Sequence, residues 1–117
     1  MSPDFELIRR AYAAFNVRDI DGALSAMHPD VRWPNGMEGD VLVGHEAVRA
    51  YWVRQWRTLD PHVEPVGMQR KHDGHVVVTV HQVVHDPAGV LLVDQRIEHV
   101  YTLRDGLVAQ MDIRGAR

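Results

Sequence analysis

The 117 residues carry a formal net charge of −3, no cysteine, 45% hydrophobic and 25% charged side chains, the composition of an ordinary globular chain. Disulfide scaffolds and thiol catalysis are excluded, and no basic cluster exists to neutralise the phosphates of a nucleic acid or an anionic membrane. A single domain over residues 1–117 in the cytoplasm is expected, because Asp4 and Glu6 stand where a signal peptide carries positive charge and no apolar run is long enough to cross a bilayer.

Ser2 and Pro3 predict an N-cap and first helical residue, followed by Phe5, Ile8, Ala11, Tyr12 and Phe15 at the spacing of an amphipathic helix. Asn16-Val17-Arg18 breaks the pattern, and Asp19 is positioned to cap a short second helix that buries Ile20, Ala23, Leu24 and Met27. His28-Pro29-Asp30 ends it. Val31-Arg32-Trp33 reads as a brief strand stopped by Pro34, and residues 35–40, with two glycines, as a loop. A third helix is predicted from Gly44-His45-Glu46 to about Leu59, with Val48, Trp52, Gln55, Trp56 and Leu59 on one side and Asp60-Pro61 as its stop.

From there the pattern changes to strands, predicted at about 62–71, 75–85, 90–103 and 107–114, with turns at His72-Asp73-Gly74, Asp86-Pro87-Ala88-Gly89 and Arg104-Asp105-Gly106. The last is a strong hairpin signal, since Asp-Gly accepts the positive φ of a tight two-residue turn. Three helices and then an antiparallel meander make an α+β order.

Alternation along a strand puts Ile97, His99, Tyr101 and Leu103 on one face. His99 there is a candidate general acid or base, with Tyr101 ~7 Å farther along to orient the same ligand; a histidine satisfied by its neighbours would look the same in sequence. Gln82 interrupts the apolar series Val76, Val78, Val80, Val84 and needs a partner if buried, either a ligand or His99. The other face of that strand, Thr79, His81, Val83 and His85, suits a partly wet, dimer-forming surface. Trp33, Trp52 and Trp56, with Tyr12, Phe15 and Met68, would line a site for a flat hydrophobic molecule, or else pack the core. Asp112 is expected on the opposite face from the pocket, with Gln110 and Arg114; a register shift at a bulge would turn it inward as a general base.

No metal is expected, since His81 and His85 share a face but lie ~13 Å apart. No cofactor is expected either, as no phosphate-binding glycine loop or dinucleotide fingerprint is present.

The segments FNVRDIDGALSAMHPDVRW (15–33), VGHEAVRAYW (43–52) and HVYTLRDGLV (99–108) resemble, in their order and spacing, the NTF2-like superfamily and within it the SnoaL-like, polyketide cyclase-like proteins. The resemblance spans almost the whole chain. It implies a curved sheet wrapped around three N-terminal helices as a cone, a pocket in the mouth, and homodimerisation through the sheet. The superfamily includes isomerases, cyclases, epoxide hydrolases, dehydratases and proteins that only bind. Cyclase-like members carry a histidine and an aspartate on the last strand, where this chain has Met111 and Ile113. Steroid isomerases carry a helix-one tyrosine, here at Ala11 with Tyr12 beside it, a base aspartate absent here between Trp33 and Gly36, and a buried acid where His99 or Glu98 falls. Two readings stay open. One is a cofactor-independent isomerase, cyclase or hydrolase-type enzyme acting on a small hydrophobic carbonyl- or hydroxyl-bearing molecule. The other is a non-catalytic binding protein with the same pocket.

Overall fold

The protein is described from a computed structural model covering residues 3–36 and 38–115. Helix α1 (Pro3–Asn16) begins on its proline and buries Ile8 and Tyr12 four residues apart; the predicted cap at Ser2 lies outside the described residues. Asn16 closes the helix by pairing its side-chain amide with the backbone of Val63, donating to the carbonyl at 2.8 Å and accepting from the N–H at 3.0 Å. Helix α2 (Ile20–Leu24) is capped as expected, with Asp19 Oδ1 accepting from the Gly22 N–H at 3.0 Å.

Strands β1 (Met27–Pro34) and β2 (Val41–Val43) pair antiparallel, and helix α3 (His45–Gln55) follows. The four remaining strands form the predicted meander: β3 (Asp60–Arg70), β4 (Val76–His85), β5 (Leu91–Arg104) and β6 (Leu107–Arg114). Strand β1 then lies parallel to β6, so one curved, mixed sheet runs β2-β1-β6-β5-β4-β3. The final turn has Asp105 at φ 56° and Gly106 at φ 76°, the two left-handed residues that a type I′ hairpin requires.

Three boundaries differ from expectation. Strand β1 starts at Met27, four residues early, because Met27 already pairs with Val108 of β6; the register then shifts before Arg32, and Pro29 sits in that irregular stretch, where it forfeits no ladder bond. Helix α3 stops at Gln55 instead of Leu59, its last carbonyls being taken up in a tight turn by the N–H groups of Arg57, Thr58 and Leu59. Asp60-Pro61 therefore opens β3, an edge strand where proline at the second residue is tolerated.

The concave face of the sheet carries the core. Val76, Val78 and Val80 of β4 are fully enclosed with Ile8, Val31, Val48 and Val108. No helix among the described residues is long and apolar enough to cross a membrane.

Candidate functional site

Between the helices and the sheet lies a cavity of about 320 Å³. Helix α1 contributes Tyr12 and Phe15, α3 contributes Tyr51, Trp52 and Gln55, and Trp33 and Gly36 stand at the end of β1 and the start of the following loop. The sheet supplies Gln82 from β4, His99 and Tyr101 from β5, and Met111 and Ile113 from β6. Among the described residues lining it there is no Asp, Glu, Lys or Arg.

The cavity's polar centre is a chain of three side chains from two elements. Tyr101 Oη donates to Tyr12 Oη at 2.8 Å, and Tyr12 Oη in turn reaches His99 Nδ1 at 2.7 Å. With the Tyr12 proton directed to Nδ1, the imidazole carries its own proton on Nε2, for which no partner exists among the described residues. The Tyr12 and His99 rings are stacked, 5.9 Å between centroids at 11°, and Tyr101 meets both edge-on. His99 is 6% exposed. Burial lowers its pKa to about 4, so the ring is neutral at physiological pH. Burial likewise raises the phenols of Tyr12 and Tyr101. Every member of the chain is thereby held uncharged.

Gln82 faces the cavity from β4, as the alternation required, but its partner is neither a ligand nor His99: its Oε1 accepts from Gln95 Nε2 of β5 at 2.8 Å. The two amides are directly paired across the strands, which leaves the Gln82 NH2 to the cavity. Trp33 and Trp52 form an edge-on aromatic wall, 5.8 Å apart at 87°, and Phe15 meets Trp52 at 5.3 Å.

Two residues expected in the lining, Met68 and Trp56, lie elsewhere, Met68 packing against the core. Trp56 does not line the cavity; α3 ends at the residue before it, and its ring packs on Phe15 and Trp52 with the Arg18 guanidinium 4.9 Å above. Asp112 points away from the cavity, is exposed, and accepts from Gln110 Nε2 at 2.9 Å. A bulge does exist in β6, but its effect is the reverse of the one considered. Counting back regularly from the turn would place Asp112 across from His99; the extra residue at Ala109 moves the pairing by one, so Ile113 faces His99 and Met111 faces Tyr101. Arg114, also outward, meets Glu98 at 3.7 Å.

Reading the sequence missed Tyr51. Its hydroxyl accepts from the Gly36 N–H and from Gln55 Nε2, both at 3.2 Å, and burial raises its pKa. The available signal was the spacing of Val48, Tyr51 and Gln55, which share one helix face.

The family model described as a SnoaL-like domain matches residues 8–111. Among solved structures, TerC co-crystallised with polyporic acid is 33% identical, with 96% of this chain and 90% of that chain covered at a TM-score of 0.84. An NTF2-like protein of unknown function from Burkholderia pseudomallei K96243 is 26% identical, covering 97% and 91%, at a TM-score of 0.85. The Mycobacterium tuberculosis protein RV0760c, in complex with estradiol-17beta-hemisuccinate, shares the fold at 18% identity, covering 95% and 92%, at a TM-score of 0.80. No curated protein matches the sequence.

Proposed function

Because this chain belongs to the SnoaL-like domain family, whose members build varied functions on one scaffold, we propose a function from its own cavity: it binds an uncharged, flat, hydrophobic molecule bearing a carbonyl or hydroxyl oxygen. The observation that carries this reading is the Tyr101–Tyr12–His99 chain, which leaves His99 Nε2 beside aromatic walls and no ionised side chain. His99 Nε2–H donates to the ligand oxygen, while Trp33, Trp52 and Phe15 pack on its faces. The co-crystallisation of TerC with polyporic acid supports a small organic ligand at this level of identity.

A second reading adds chemistry to the same complex. A neutral imidazole donor polarises a carbonyl without first giving up a proton, a known use of histidine held neutral. Pairing of His99 through Nδ1, which leaves Nε2 for a ligand in the cavity, favours it. Against full proton transfer stand the depressed pKa of His99 and the raised pKa of Tyr12, which make both the imidazolium and the phenolate costly.

The test begins with ligand that copurifies from the expression host, identified by mass spectrometry. His99→Ala is expected to weaken its binding about tenfold, the loss of one hydrogen bond in an apolar site; unchanged affinity would remove the reading's support. Conversion of the bound ligand, followed by NMR and mass spectrometry, separates the two readings. Product formed by the wild type and lost in His99→Ala and Tyr12→Phe establishes chemistry, and binding without conversion supports a carrier.

The same proposal includes homodimerisation through the convex sheet face, where Thr79, His81 and Val83 are half-exposed.

A further inference from the structure

Tyr51 lies on a different element from the His99 chain, yet opens on the same cavity. It is 5% exposed. Its hydroxyl oxygen has two lone pairs, and both are taken: the Gly36 N–H and Gln55 Nε2–H each donate to it at 3.2 Å. What remains is the hydroxyl proton, which with the Gln55 amide in this orientation has no acceptor among the described residues. A buried donor is ordinarily satisfied, which leaves this one to whatever occupies the cavity.

The surroundings hold this hydroxyl in place. Gln55 is one helical turn farther along α3, the spacing at which side chains meet. Gly36 belongs to a loop closed on itself by Asn35 N–H to the Asp40 carbonyl at 2.9 Å and pinned to α3 by the Glu38–Arg54 ion pair. A side chain at position 36 would put its Cβ 3.3 Å from the Tyr51 oxygen, tighter than ordinary contact. Loop and helix thus converge on a single phenolic proton.

Building on the ligand-binding reading above, we propose that Tyr51 is a second recognition point, and that the ligand carries two oxygen acceptors, one for His99 Nε2–H and one for Tyr51 Oη–H. A ligand with a single oxygen would satisfy one donor and leave the other buried and unpaired, which is how such sites discriminate. The substrate class narrows accordingly to uncharged aromatic diols, hydroxyketones and diketones.

The experiment compares 2-naphthol with 1,5-, 2,6- and 2,7-dihydroxynaphthalene by isothermal titration calorimetry at pH 7. In the wild type, at least one diol is expected to bind about tenfold tighter than 2-naphthol, the worth of one further hydrogen bond. Tyr51→Phe should abolish that preference, bringing the ratio of diol to 2-naphthol affinity to about one. His99→Ala should weaken both. The proposal is overturned if no diol gains over 2-naphthol, or if Tyr51→Phe leaves the ratio as it was while His99→Ala still weakens binding; in that case the cavity reading stands and only the second contact falls. Binding of every probe unaffected by His99→Ala would overturn the cavity reading together with this one. Should Tyr51→Phe fail to fold by circular dichroism, Gly36→Ala, whose Cβ displaces the hydroxyl, is expected to remove the diol preference in its place.

Discussion

His99 shows how one buried side chain sets a pH dependence for the whole protein. In the unfolded chain it protonates near its ordinary value of 6.5, whereas in the fold burial delays protonation to about 4. Between those values the unfolded state binds the extra proton, so stability is complete above about pH 6.5 and is lost as the pH falls toward 4, by up to ~3 kcal/mol. Urea unfolding at pH 7, 5.5 and 4.5 is expected to show a steeper loss for the wild type than for His99→Gln, which keeps an acceptor for Tyr12 and does not titrate. Equal losses would show that His99 contributes nothing to acid sensitivity. At this scale the sequence revealed which face His99, Tyr101 and Gln82 occupy, because alternation along a strand is a local property. It could not reveal Gln95 as the partner of Gln82, nor the two donors on Tyr51, since these depend on which strands and loops lie side by side.

The elements that were legible are those whose signals are local: the Pro3 start of α1, the Asp19 cap and the Asp105-Gly106 turn. Strand β2 was not among them, since three residues carry no periodicity and its existence depends on β1 lying alongside. The bulge at Ala109 was equally hidden, because nothing in the sequence of β6 distinguishes a regular pairing from one displaced by a residue. Helix α2 supplies a prediction that runs against intrinsic propensity. Alanine outranks glycine in a helix by about 1 kcal/mol, yet a Cβ at Gly22 would fall 2.3 Å from Asp19 Oδ2 and 3.2 Å from the Ala14 Cβ. Gly22→Ala must therefore displace the capping carboxylate and is expected to destabilise the protein by about 1–2 kcal/mol in urea titrations. In an Asp19→Ala background the penalty should shrink, as a double-mutant cycle would register; an undiminished penalty would assign the effect to Ala14 alone.

For the molecule as a whole, the sheet divides the chain into a concave side that encloses the cavity and a convex side with half-exposed Thr79, His81 and Val83. Sedimentation velocity is expected to find a dimer at micromolar concentration, and Val83→Lys, a charge placed on that convex face, should shift it toward monomer without altering ligand affinity. A monomer at all concentrations would remove the dimer proposal and leave the cavity untouched. Strand addition at the sheet margins is a poor alternative route to association. One margin, β2, is only three residues long. The other, β3, has Pro61 and Pro65 in its ladder and an irregular register between Pro65 and Gly67. Both edges are therefore poor templates for another chain's backbone, which works against fibril growth even though valine fills most of β4, the strand next to the β3 edge.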